Sequence, residues 1–273
     1  MVSSFDRVHH DILIDRLGKR VADAGVIRLV RAYLTSGIMD GGVFEERKQG
    51  TPQGGPLSPL LANVLLDEVD KELERRGHSF VRYADDANVY VRSRRAGKRV
   101  MALLLKLYGR LRLKVNEAKS AVASVFQRKF LGYSFWAAPG GAIKRRVANK
   151  PIAMFKQRVR RLTRRSGGRS LEEVVTKLRV YVLGWKAYFR LAQTPRVWQE
   201  LDQWMRHRIR AIQLKHWKRA KTIYPDLLAR KASSTVAAQV AANARRWWRN
   251  SGMLLNSVLN LAWADRLGIP RLC

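Results

Sequence analysis

The sequence predicts an α+β protein, with an antiparallel strand-and-helix front followed by an all-helical back. Three observations carry this. Phe80 to Val91 reads as two short strands of β-branched and aromatic residues around a tight turn. Beyond about Lys150 only helical patterns remain, broken at Gly167-Gly168, Pro195 and Pro225. Charge divides the chain in the same place. Residues 1–143 hold 24 basic and 15 acidic side chains, a net of +9, and residues 144–273 hold 30 and 6, a net of +24.

A chain of 273 residues with 47% hydrophobic and 9% aromatic content supports a real core. Its net charge of +33 calls for a polyanionic partner, because a field of that size repels the folded chain from itself. A single cysteine, Cys273, excludes a disulfide framework and a cysteine-based zinc site. No apolar run approaches the ~18 residues that span a bilayer. Nor does a basic-then-apolar leader open the chain, so no membrane partner and a cytoplasmic setting are expected.

In order along the chain, Ile12, Leu13, Leu17, Val21, Val26, Val30 and Leu34 follow helical spacing, with a break expected near Gly25. Gly41 to Arg47 suggests a short strand pair. Gln49 to Leu57 is dense in Gly and Pro, a loop in which backbone can approach a ligand closely and Gln53 offers both donor and acceptor. Ser58-Pro59 then starts a helix, Ser58 as N-cap, whose apolar face runs from Leu60 to Leu73 and whose end is marked by Arg75-Arg76-Gly77. After the hairpin, Val100 to Leu113 is an amphipathic helix, Ala121 to Phe126 a strand, and Phe130 to Phe135 another. Pro139-Gly140-Gly141 is the expected domain boundary, giving domains 1–138 and 139–273.

The hairpin tip carries Asp85 and Asp86. Adjacent aspartates are good turn residues, and they are also a donor pair suited to a hard divalent cation shared with substrate phosphates. Behind Lys150 the expected helices cover Pro151 to Arg165, Leu171 to Ala192, Pro195 to Arg219 and Val236 to Trp248. Seven of the eight tryptophans fall there. Most are expected to be core. The basic residues between them, Arg206, Arg208, Arg210, Lys215, Lys218 and Arg219, form faces with too few acids for an ordinary solvated surface. His9-His10 is too isolated for a metal site, since zinc needs three or four convergent ligands.

Four separated segments resemble, in order and spacing, the palm of a reverse transcriptase: Thr51 to Pro59, Tyr83-Ala84-Asp85-Asp86, Asn116 to Ser120, and Phe130-Leu131-Gly132-Tyr133. The helical back, with Leu183-Gly184-Trp185-Lys186-Ala187-Tyr188-Phe189, resembles the thumb or maturase domain of compact bacterial group II intron-encoded proteins. The resemblance implies a partial palm at 1–138 with a remnant of fingers, then a helical RNA-binding thumb/maturase domain at 139–273. It implies that Asp85 and Asp86 hold catalytic Mg²⁺ in a two-metal site and that Lys119 assists the departing pyrophosphate. Gln53, with Gly54 beside it, is implied to touch the incoming nucleotide, and Phe5 to pack against its sugar. Intron RNA, an RNA template with DNA primer, and dNTPs are the implied partners; no oligomeric state is implied.

A third metal-binding aspartate of that family maps ahead of Met1. The expectation is therefore an N-terminally truncated chain with little polymerase activity of its own. No His- or Cys-rich cluster follows the thumb, so no endonuclease domain is expected. Two functions follow from the resemblance. One is an RNA-directed DNA polymerase of the group II intron type that also assists splicing and mobility. The other is a non-enzymatic RNA-binding maturase.

Overall fold

In this computed structural model the described residues are 8–36, 50 and 55–273, with the backbone of three short strands ahead of residue 46. Phe5, Gln53 and Gly54 lie outside the described residues. The chain divides into two compact units, Met1–Ser124 and Val125–Cys273.

The first unit runs β1 (Val2–Ser3), α1 (His10–Gly18), α2 (Ala24–Thr35), β2 (Ile38–Asp40), β3 (Val43–Glu45), α3 (Ser58–Arg75), β4 (Ser79–Tyr83), β5 (Asp86–Tyr90), α4 (Arg94–Arg110) and β6 (Lys114–Val115). Its strands pair antiparallel as β1 with β6, β2 with β3, and β4 with β5. The break expected at Gly25 falls earlier, because Asp23 caps α2 by accepting from the backbone N–H of Gly25 and Val26. Helix α3 anchors the unit. Leu61, Leu65, Leu66, Val69 and Leu73 recur at helical spacing and are fully buried with Leu13 and Leu17 of α1, Leu34 of α2, and Leu107 and Tyr108 of α4. Each buried leucine contributes about 1.5–3 kcal/mol, so this face fixes where the following hairpin starts.

Ser58 is not the N-cap of α3; Leu57 holds that position and makes no side-chain cap. The other end is as expected. Gly77 takes φ +67° and donates to Glu74 O, while His78 donates to Leu73 O, the paired bonds of a Schellman ending that needs a left-handed residue.

The second unit opens with a 3₁₀ turn at Val125–Gln127 rather than the strand expected over Ala121 to Phe126. A three-stranded antiparallel sheet follows, β7 (Lys129–Phe130), β8 (Tyr133–Ala137) and β9 (Ile143–Val147). Pro139-Gly140-Gly141 turns the chain between β8 and β9, with Ala138 N donating to Ala142 O and Gly141 N to Ala138 O. Turn residues mark hairpins and linkers alike, and the division into compact units lies upstream of this one.

Helices complete the unit: α5 (Asn149–Leu162), α6 (Leu171–Tyr188), α7 (Pro195–Trp217), α8 (Ala220–Ala229), α9 (Ser234–Ala242), α10 (Trp247–Gly252), α11 (Leu254–Val258) and α12 (Leu261–Arg266). The helix expected over Val236 to Trp248 is two, α9 and α10. Pro225 sits inside α8 rather than breaking it, at the loss of the hydrogen bond its nitrogen would have made to the preceding turn. Phe155, Val159, Leu178, Val182, Leu201, Met205 and Ile209 form the centre of the core. An aromatic chain lines it, Phe155 to Trp185 at 4.4 Å between centroids, Trp185 to Phe189 at 4.7 Å and Trp185 to Trp198 at 5.2 Å.

Candidate catalytic hairpin and basic cleft

Strands β4 and β5 register as Tyr83↔Asp86, which leaves Ala84 and Asp85 as a two-residue turn. Of the two, only Ala84 has positive φ, +51°, the pattern of a type II′ turn, where glycine is usual. Holding a residue with a Cβ there costs about 1–2 kcal/mol. The turn presents Asp85 and Asp86 side by side, both half-buried.

One side chain ties this tip to the helix beneath it. Arg82 places Nε 2.9 Å from both carboxylate oxygens of Asp70 on α3, and Nη1 donates to Asn63 Oδ1 at 2.8 Å and to the Ala84 carbonyl at 3.0 Å. Asn63 and Asp70 are seven residues apart on one face of α3, so one planar guanidinium spans both and still reaches the turn backbone. The Arg82 and Asp70 side chains are 13% and 19% exposed, which makes the pair an internal clamp rather than a surface contact. Hydrogen bonding to Asp70 holds Arg82 still more firmly protonated. Tyr108 of α4 lies nearby; its hydroxyl is pushed up to about 12, by burial and then by the charge of Asp70.

Asp86 is raised above the usual carboxylate range, first by burial and then by the adjacent charge of Asp85, with Lys119 pulling the other way. The pair is thus a partly desolvated repulsion that a cation would relieve. Lys119 sits in a turn capped by Asn116, whose carbonyl and Oδ1 accept from Lys119 N. Two hard oxygen donors fit Mg²⁺ shared with substrate phosphates, an ion commonly bound through one or two carboxylates. Among the described residues no group of three or more His, Cys, Asp or Glu side chains stands together. His10 is structural, buried against the Gly50 carbonyl at 2.8 Å.

The basic residues singled out on α7 take different faces. Arg208 and Lys215 are seven apart and line one cleft of about 320 Å³, together with Arg160 in the last turn of α5, Arg164 and Arg165 just beyond it, and Trp247 and Trp248 of α10. Arg210 points the opposite way. It is 4% exposed and donates to Ser251 O at 2.6 Å and Leu259 O at 3.4 Å, so it braces α10 and α11 from inside and cannot touch RNA. Burial, and then Arg206, lowers it to about 10. Arg206 is half-buried, while Lys218 and Arg219 are exposed where α7 ends. Arg160, Arg164 and Arg165 join the cleft from Arg158 to Arg165, a run with five arginines in eight residues.

An antiparallel hairpin tipped by two carboxylates and tied to a helix, followed by a strongly basic helical unit, has the features of a nucleic-acid-binding protein with a candidate divalent-cation site. Comparison with known proteins places it more closely. Residues 1–135 match the family "Reverse transcriptase (RNA-dependent DNA polymerase)", and residues 152–231 match "Group II intron, maturase-specific domain". The chain belongs to the group II intron reverse transcriptase/maturase family. It is similar to the group II intron-encoded protein LtrA of Lactococcus lactis subsp. cremoris, at 25% identity over 52% of this chain and 35% of LtrA. Protein YkfC of Escherichia coli is 40% identical over 27% of this chain and 19% of its own length. The putative COX1/OXI3 intron 2 protein of Saccharomyces cerevisiae is 37% identical over 26% of this chain and 8% of its own. The chain therefore aligns with about a third or less of each of these relatives. Among the described residues no helix is long and apolar enough to cross a membrane.

Proposed function

We propose that this chain carries the catalytic hairpin of an RNA-directed DNA polymerase of the group II intron type, with little extension expected of it alone, and that its helical unit holds intron RNA for splicing and mobility. The observation that carries the polymerase reading is the Asp85–Asp86 pair on a hairpin clamped by Arg82, where burial and like charge together leave Asp86 raised. Asp85 and Asp86 are the residues that would hold Mg²⁺, which when bound supplies activation of a primer hydroxyl and charge neutralisation at phosphate. Arg82 keeps both carboxylates in place through the Ala84 carbonyl. Lys119 acts near the departing pyrophosphate as a proton donor or counter-charge. Phe5, Gln53 and Gly54 complete the nucleotide contacts in this reading. Template RNA, DNA primer and dNTPs are its substrates.

A second reading, an RNA-binding maturase without chemistry, is favoured by the basic cleft, which needs nothing from the hairpin. Three assays on wild type, Asp85→Ala and charge-reversal variants of Arg208 and Lys215 separate them: Mg²⁺-dependent extension of oligo(dT) on poly(rA), RNA binding by gel shift, and support of intron splicing. The polymerase reading predicts that whatever extension wild type supports disappears in Asp85→Ala while RNA binding stays. Extension that survives the substitution excludes the hairpin from catalysis. The maturase reading alone predicts that splicing support survives Asp85→Ala and is lost on charge reversal at Arg208 and Lys215.

A further inference from the structure

The cleft between α5, α7 and α10 has a composition that a general phosphate-binding surface does not require. Its lining includes five cationic side chains, Arg160, Arg164, Arg165, Arg208 and Lys215, and no carboxylate. Three of the five are already held in place by neutral acceptors. Arg208 donates to Thr163 Oγ1 at 2.6 Å, Arg165 to Ala211 O at 3.1 Å, and Arg164 to Ser166 Oγ at 3.1 Å. They are oriented without being neutralised. Burial lowers both Arg165 and Arg208, and Arg160 adds to the effect at Arg208, so the cleft gathers positive charge at an electrostatic cost. Concave walls focus such a field on whatever enters.

The two tryptophans differ. Trp247 is covered by the Arg165 guanidinium, 3.8 Å above its ring. Trp248 has His207 stacked on one face, 3.7 Å between centroids and 24° between planes, and remains 39% exposed. His207 is fixed in turn, its Nε2 2.8 Å from the Trp248 carbonyl. One indole face is thus backed by a stacked ring and Trp247 meets Trp248 edge to face at 5.6 Å, which leaves the exposed remainder of the ring for a partner. At about 320 Å³ the cleft is at the small end of the range for small-ligand sites, roughly 300–1,000 Å³.

We propose that this cleft is a specific site for one unpaired nucleotide of bound RNA, its base stacked on Trp248 and its flanking phosphates on Arg164, Arg208 and Lys215. The proposal rests on the reading that the helical unit binds RNA, and adds where and in what form. Duplex RNA cannot fill the site, because paired bases already stack on each other and offer no free face. Single-stranded segments offer both parts, a π-face and a flexible backbone.

The test uses the full chain and three probes: a fluorescein-labelled 12-nucleotide oligo(rU), a 12-base-pair RNA duplex, and inorganic phosphate as competitor. Anisotropy gives affinities for wild type, Trp248→Ala, Trp248→Phe and Lys215→Gln, and circular dichroism checks folding. The expected result is that Trp248→Ala weakens oligo(rU) binding about tenfold, as loss of one stacked base does. Duplex binding should be unchanged and Trp248→Phe should restore most of the loss. Lys215→Gln should lower the salt slope for oligo(rU) by about 0.7, the share of one phosphate contact on a single strand. Equal losses for oligo(rU) and duplex in Trp248→Ala, or unchanged oligo(rU) affinity in both Trp248→Ala and Lys215→Gln, would overturn the proposal while leaving RNA binding by this chain intact. Displacement of oligo(rU) by inorganic phosphate at matched phosphate concentration would overturn it too, reducing the cleft to an anion site. Failure of wild type to bind either RNA would overturn the underlying reading, and the proposal with it.

Discussion

Arg82 decides whether two aspartates make a site or merely a turn. It joins Asp70 and Asn63 of α3 to the Ala84 carbonyl. Arg82→Ala leaves Asp70 half-enclosed without its partner. With exposure discounting the cost of a broken internal pair, the expected loss is about 2 kcal/mol in urea unfolding. Arg82→Lys should recover only part of it, because an ammonium cannot reproduce the fork. Loss of less than a few tenths would show that the hairpin stands without the clamp. Asp86 carries the opposite sign. Its folded-state value is raised, so ionising it costs stability that is fully felt above the folded value and absent below the unfolded one. Asp86→Asn is accordingly expected to be more stable than wild type at neutral pH by a few tenths of a kcal/mol, since water screens a group this open. The gap should close as pH falls through the carboxylate range. None of the Arg82 contacts was legible in the sequence, because Asn63, Asp70 and Arg82 meet only when α3 and β4 fold together. Arg210 misled for a related reason. Alternating Arg and apolar residues on a helix look like a basic face, yet one position in that run turns inward.

At the scale of elements, the hairpins were legible and their surroundings less so. Residues 80–91 give β4 and β5 as expected, since β-branched and aromatic residues with a tight turn specify both strands and register. Phe130 to Phe135, expected as one strand, is the end of β7, a two-residue turn at Leu131-Gly132 and the start of β8. Leu131 and Gly132 take φ +50° and +79°, the two positive values of a type I′ turn. Gly132 is doubly constrained, because a Cβ there would lie 3.1 Å from the Phe189 ring and 3.3 Å from Pro151. Gly132→Ala should therefore lower stability by about 2 kcal/mol in thermal or urea unfolding, from left-handed strain plus the close approach. A neutral result would mean that Phe189 and Pro151 give way freely. Tyr133 and Tyr188 close the same corner, Tyr133 Oη donating to Tyr188 O and Tyr188 Oη to Leu131 O. Among the described residues no strand pairs with Ala121 to Phe126, and without a ladder partner the backbone there ends in the Val125–Gln127 turn. The tryptophans of the helical half followed the expectation that most belong to the core, with Trp198, Trp217 and Trp263 buried, Trp185, Trp204 and Trp247 partly buried against them, and Trp248 the open one.

Across the whole molecule, the division of charge was the most informative global property of the sequence. A net of +24 in residues 144–273 led to a phosphate-binding back half, and folding concentrates part of it, from α5 and α7, around one acid-free cleft. Family membership was legible because separated short motifs kept their order, and the two family matches cover the same segments. What the sequence could not show was how cations distant in the chain share one concavity, since that depends on the packing of α5, α7 and α10. The central claim is that Asp85 and Asp86 form a divalent-cation site. The most direct measurement is the melting temperature of wild type and Asp86→Asn at neutral pH as Mg²⁺ is raised through the millimolar range. The account predicts that wild type gains stability and overtakes its Mg²⁺-free value while Asp86→Asn stays flat, because a cation bound only by the native hairpin stabilises by mass action. Identical responses in the two proteins would contradict it.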